Sequence, residues 1–172
     1  MKNAKITLIA ILISLFISIS FAHAGSNCLV EAYFSPYEDI EGLVADKLKG
    51  AGGSIHCSLY GITNSRITNV LIDRVSRGVD IKLCLDKTQS SGKHSTHKEL
   101  RDAGVEVVIK KSGVLEHNKF CVIDNKTVVM GSYNFSGNAQ KQDNSIVVMS
   151  GCNPSTEKFN KAFMRIYRRD KK

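Results

Sequence analysis

The stretch HNKFCVIDNKTVVMGSYNF, residues 117–135, decides how the rest of the chain is read. Lys119 to Ile123 and Thr127 to Met130 are rich in the β-branched residues that suit strands, with no room for a helix between them. Asp124-Asn125-Lys126-Thr127 reads as a tight hairpin turn in which Asn125 takes positive φ. Side chains two apart on a strand share a face, so His117 and Lys119 point one way, as do Ser132 and Asn134. If Asp124 opposes Thr127, then Lys119 opposes Ser132 and His117 opposes Asn134, each pair about 5 Å apart. Four polar side chains are thus expected at the open end of the hairpin. Asp124 lies seven residues from His117, roughly 23 Å along a strand, and so takes a structural or interface role, as does Gly131.

Outward from this hairpin, strand-like and helix-like patterns alternate. Leu29 to Phe34 reads as a strand, and Ile40, Leu43, Val44, Lys47 and Leu48 follow helical spacing up to Gly50, Gly52 and Gly53. Ile55 to Tyr60 is a second strand. Asn64 or Ser65 caps a helix with Ile67, Val70, Leu71 and Val75 on its inner face, closed by Gly78. Val79 to Leu85 and Val105 to Ile109 are strands, separated by a basic Gly/Ser-rich loop and a partly helical segment, Ser90 to Ala103. After the hairpin come a strand at Ile146 to Met149 and a closing helix carrying Phe159, Ala162, Phe163, Ile166 and Tyr167. The pattern predicts a single α/β domain over residues 25–172, a mixed sheet flanked by helices on both faces.

Residues 1–24 form a separate element. Met1 to Lys5 carries two lysines, Ile6 to Phe21 is almost unbroken apolar sequence, and Ala22-His23-Ala24 supplies the small residues of a cleavage site. This is the pattern of a secretory signal peptide, with an apolar run shorter than the roughly 20 residues of a spanning helix. The remainder is expected to be exported, periplasmic or secreted, without stable membrane insertion after cleavage. The formal net charge is +8, of which Lys2 and Lys5 supply two, and the surplus favours anionic partners such as nucleic acid. Of five cysteines, Cys57, Cys84 and Cys121 fall inside apolar strands and read as buried thiols, whereas Cys28 and Cys152, near element ends, are the disulfide candidates. No C-x-x-C occurs, and no metal site is read from the cysteines.

The four polar groups suit a phosphodiester. Lys119 supplies positive charge, Ser132 and Asn134 donate to non-bridging oxygens, and a neutral imidazole attacks phosphorus to give a phosphohistidine. The carboxylate best placed to orient His117 is Asp143, entering the next strand.

His117-x-Lys119-x4-Asp124-x6-Gly131-Ser132-x-Asn134 resembles the HKD motif of the phospholipase D superfamily, and most closely its small, exported, single-motif bacterial endonucleases. The resemblance implies two facing motifs, one histidine attacking phosphorus while the other protonates the leaving group. With one motif per chain, the second is His117 of another copy, so a homodimer is expected. The resemblance also implies no metal and no cofactor. These enzymes usually carry glutamate where this chain has Asp143, one methylene shorter.

The remaining polar residues have plainer readings. His94 and His97 read as a solvated helix start in preference to a metal pair, with Lys87, Lys93 and Lys98 able to meet a substrate backbone. His56 reads as a satisfied core residue, Tyr133 and Phe135 as packing groups, and the basic Lys158–Lys172 helix as a solvated face. No exposed apolar loop is read from the sequence. The functional expectation is a nonspecific, metal-independent nuclease. A secreted phospholipase D and a catalytically weak nucleic-acid-binding protein are the alternatives.

Overall fold

In a computed structural model, residues 27–111 and 113–171 are described, and the leader expected at 1–24 lies outside them. Seven strands form one sheet: β1 (Leu29–Ser35), β2 (Ser54–Leu59), β3 (Asp80–Leu85), β4 (Glu106–Ile109), β5 (Lys119–Ile123), β6 (Thr127–Gly131) and β7 (Asn144–Ser150). Their order is β1-β7-β6-β5-β2-β3-β4. Strands β2, β3 and β4 run parallel, and every pair from β2–β5 to β7–β1 is antiparallel. The seam between the two regimes is β2–β5.

Helices α1 (Ile40–Lys49), α2 (Ser65–Ser76), α3 (Lys87–Ser90), α4 (His97–Asp102) and α5 (Asn153–Lys171) complete the fold, with a short 3₁₀ turn at Ala139–Lys141. The Asn64 carboxamide oxygen accepts from the Ile67 N–H at 3.0 Å, which decides the cap of α2 in favour of Asn64 over Ser65. Ile67 and Leu71 of α2 pack with Ile40, Val44 and Leu48 of α1 and with Ile55, Leu59 and Leu83 of the sheet. On the other face Phe163 and Tyr167 of α5 cover Cys84, Phe120, Val122 and Val128. Leu71 is fully buried, and truncating such a leucine to alanine costs about 2–5 kcal/mol. The sheet is mixed and covered by helices on both faces, as the alternation of patterns predicts.

Two local expectations are corrected. Ile123, not Asp124, pairs with Thr127, so the β5–β6 register is shifted by one residue. The turn centres on Asp124 and Asn125, both at positive φ (51° and 52°), closed by the Lys126 N–H on the Ile123 carbonyl at 3.0 Å. One residue of slip turns side chains to the opposite face, so Lys119 does not oppose Ser132. The second correction concerns the cysteines. Cys28–Cys152 is bridged as expected, but Cys57 and Cys121 are also bridged and only Cys84 is a free thiol. Cys57 and Cys121 are direct partners in the β2–β5 ladder with Cα atoms 4.1 Å apart, the close approach that admits a bridge between neighbouring strands.

Candidate active site

The carboxyl ends of β2, β3 and β4 lie at one edge of the sheet, together with the start of β5, the end of β6, the start of β7 and the end of β1. The ladder partners Leu59↔Lys119 and Ser35↔Asn144 mark this edge. Loops beyond such an edge are the usual place for ligands in α/β sheets. The predicted site residues His117, Lys119, Ser132, Asn134 and Asp143 all belong to it. Asp124 belongs to the opposite edge.

Two of these stretches are tied together by the segment just past β2, which carries no motif of its own in the sequence. Tyr60 N–H donates to the Asn118 carbonyl at 2.9 Å, and Ile62 bridges Phe135. Residues 60–62 therefore run between the His117–Lys119 segment and the Asn134–Phe135 segment. The Tyr60 ring meets the His117 ring edge-on at 4.8 Å, and Lys119 Nζ lies 5.2 Å from the Tyr60 centroid. Lys119 Nζ also donates to the His117 carbonyl at 2.8 Å. Burial holds the Lys119 ammonium below the ordinary lysine range, partly offset by Glu116. His117 itself is exposed, with a ring that makes no hydrogen bond among the described residues.

The loop entering β5 is fastened from below. Glu116 is buried and accepts from the Asn118 backbone and carboxamide at 3.2 and 2.6 Å. Its other oxygen faces buried Lys110 at 3.6 Å. Asp86, also buried, accepts the Glu116 N–H at 3.1 Å. These interior charges fix the backbone on either side of His117, and none was visible from the sequence pattern.

Ser132 and Asn134 are placed differently from the expected cross-strand pairs. The Ser132 hydroxyl donates to the Asn144 carboxamide oxygen at 3.1 Å and accepts the Ser145 N–H at 3.0 Å. Asn134 is half-buried, and its side-chain oxygen has no partner among the described residues. Asp143 is exposed and, with Ser132, Phe34 and Tyr37, lines a cavity of about 730 Å³. Its carboxylate makes no hydrogen bond to the His117 ring among the described residues. Gly131 has a steric reason: a methyl there would overlap the Ser145 carbonyl oxygen, so glycine lets β6 and β7 close together.

Asp124 lies apart from the other motif residues, as its distance along the strand suggests, and holds backbone. Its carboxylate accepts three backbone N–H groups, from Gly52 at 2.9 Å, Gly53 at 2.7 Å and Ser54 at 2.8 Å. Burial opposes its charge, but the three donors outweigh that and hold the carboxyl below its ordinary value. His56 is a core residue, stacked on Phe163 at 4.9 Å with Nδ1 3.0 Å from Asn160. His97 departs from its expectation: it is buried, with Nδ1 2.9 Å from the Ser95 hydroxyl, rather than solvated. An exposed apolar pair, Val114 and Leu115, immediately precedes Glu116-His117, against the expectation of no such loop.

Comparison with known proteins agrees with this geometry. Residues 44–167 match the family described as "Cardiolipin synthase, PLD-like domain". A protein named "Phospholipase D" from Rickettsia bellii is 37% identical over 124 residues, covering 72% of this chain and 62% of the relative. The chain thus spans somewhat under two thirds of that relative's length. The crystal structure of Nuc from Salmonella typhimurium, itself a phospholipase D family member, superposes with a TM-score of 0.77 at 26% identity. The overlap covers 82% of this chain and 95% of Nuc. NucT from Helicobacter pylori shares the fold, with a TM-score of 0.75 at 20% identity over 82% of this chain and 96% of its own. The family match over most of the described residues, on the same fold and with the motif at the loop edge of the sheet, makes this chain a member of the phospholipase D superfamily.

Proposed function

We propose that this protein is a metal-independent phosphodiesterase that cleaves nucleic acid through a covalent histidine intermediate, as a homodimer with one motif per subunit. The observation that carries the reading is the exposed His117 ring, braced by Tyr60 beside Lys119 at the loop edge of the sheet. The remaining described histidines are otherwise engaged or displaced. His56 and His97 are buried on Asn160 and Ser95, and His94 sits on an exposed turn. On the family resemblance, the leaving-group acid is His117 of a second copy. A ring nitrogen of one His117 attacks phosphorus and the phosphorus–oxygen bond to the leaving group breaks. The partner imidazolium gives its proton to that oxygen, then takes one from the water that hydrolyses the phosphohistidine. Lys119 and Asn134 stabilise charge on the non-bridging oxygens, and Asp143 sits beside Ser132 at the rim. The two disulfides and the leader-like residues 1–24 support export.

A second reading, hydrolysis of phospholipid head-group diesters, is favoured by Val114 and Leu115, exposed beside the histidine loop, and by Phe34 and Tyr37 at the rim of the Asp143 cavity. Plasmid nicking in excess EDTA, beside choline release from phosphatidylcholine vesicles, separates the two. Nicking that vanishes in His117→Ala supports the nuclease. Choline release without nicking replaces it with the lipase, and nicking that persists in folded His117→Ala rejects the mechanism.

A further inference from the structure

Along the same edge of the sheet lies a cavity that the reaction above does not use. It measures about 460 Å³ and sits past the end of β4, walled by α3, α4 and the turn between them, with Lys87, Lys93, Lys98, His97, Ser91 and Ser95 in its lining. No carboxylate lines it. Asp86, the buried acid that precedes Lys87, is spent on the backbone N–H groups of Thr88, Gln89 and Glu116. Lys82, Lys110, Lys161 and Lys171 each have a carboxylate partner. Among the described residues, Lys87, Lys93 and Lys98 have none. Three unpaired ammonium groups thus converge on a concave surface with serine hydroxyls between them.

The cavity is coupled to the catalytic edge by one short chain of neighbours. Gln89, on α3, donates to the Tyr60 hydroxyl at 2.9 Å, and the Tyr60 ring packs on His117. Gly61 makes this possible, since a methyl at that position would stand 2.9 Å from Gln89 Cβ.

We propose that this cavity is a second phosphate subsite, holding another phosphate of the single nucleic-acid strand whose scissile phosphate faces His117. The inference rests on the nuclease reading and deepens it. A substrate with phosphates repeating along one backbone fills both positions at once, whereas a diester with one phosphate fills only the first. Buried His97 is held below the ordinary histidine range by desolvation and by Arg101 and Lys98, so at neutral pH it is an uncharged wall and the lysines carry the attraction.

The test is fluorescence anisotropy of a labelled single-stranded oligonucleotide of about 12 nucleotides, long enough for a typical single-strand groove, on His117→Asn protein so that cleavage does not intrude. Lys87→Gln/Lys93→Gln/Lys98→Gln is expected to weaken binding about tenfold and to lower the salt slope by about 0.7 for each phosphate that is no longer neutralised. Lys158→Gln/Arg165→Gln/Arg168→Gln, which removes the same charge from exposed positions on α5, is expected to change binding less than about twofold if the effect is local. With His117 intact, the lysine triple variant should hydrolyse bis(p-nitrophenyl) phosphate at the parental rate. Unchanged oligonucleotide binding, or equal losses in both triple variants, overturns the subsite. So does lysine-dependent binding of cardiolipin-containing vesicles without binding of the oligonucleotide. A parent protein that binds the oligonucleotide through these lysines but never cleaves nucleic acid retains the subsite and loses the nuclease reading.

Discussion

Asp124→Ala and Asp124→Asn separate scaffold from chemistry within one motif. The carboxylate caps three N–H groups at the start of β2 and sits in the left-handed region at φ 51°. Gly52 and Gly53 are exposed, so water replaces the carboxylate on their N–H groups at little cost, whereas the bond to Ser54 is half-buried. Losing that one charge-assisted bond costs about 2 kcal/mol, and alanine at positive φ adds about 1 kcal/mol. Asparagine keeps an acceptor and tolerates the backbone, so it should lose only about 1 kcal/mol. For a domain of this size, about 3 kcal/mol corresponds to a Tm lower by about 6–12 °C for alanine, and by about 2–4 °C for asparagine. The pH dependence has a definite sign. A carboxyl held below its ordinary value stabilises the fold above the unfolded value near 4, and that stability is lost as pH falls through the folded value. The gap between parent and Asp124→Asn should therefore be constant from about pH 5 to 8 and close below about pH 4. Calorimetry across pH measures this, and diesterase turnover at 25 °C should stay within about twofold for both variants. A fully folded Asp124→Asn protein with turnover reduced a hundredfold would refute the structural assignment.

The remaining predictions concern a thiol and a ring. Burial, reinforced by Glu116 and Asp170, pushes the Cys84 thiol up to about 12, so it should resist thiol reagents at pH 8 in the native protein. After denaturation without reductant one thiol should titrate, and a second would contradict the two bridges. Tyr60→Ala removes the surface against which His117 and Lys119 pack and should lower kcat by about 10- to 100-fold with KM little changed, because misplacement costs rate. Tyr60→Phe keeps the ring and should stay within about threefold of the parent. Equal losses in both variants would mean that the hydroxyl, and not the ring, matters.

Much of this architecture was legible because its causes are local. Strand β5 runs from Lys119 to Ile123 as its composition indicates, and the helix behind Asn64 begins where its cap chemistry demands. The hairpin register was not legible, because Asp124 is drawn into the left-handed region within a turn that also serves Gly52, Gly53 and Ser54, about seventy positions away in sequence. Nor were the Cys57–Cys121 bridge and the Lys110–Glu116 pair, each of which depends on which distant segments become neighbours. The candidate site residues were chosen by type and spacing, yet the contact between the His117 and Phe135 stretches runs through Tyr60 to Ile62 rather than through direct cross-strand pairing.

The bridge between Cys57 and Cys121 sits two residues inboard of Leu59 and Lys119, on the seam where parallel strands give way to antiparallel ones. Sliding β5 by one position against β2 would turn Lys119 away from Tyr60, and side-chain packing alone opposes such sliding only as well as its shapes interlock. A covalent tie removes that dependence. The apolar neighbours Ile55, Val122 and Ile123 are then free to drift among residues of similar volume without carrying the reactive edge out of alignment, so the molecule's tolerance of change in its middle is set by one bond.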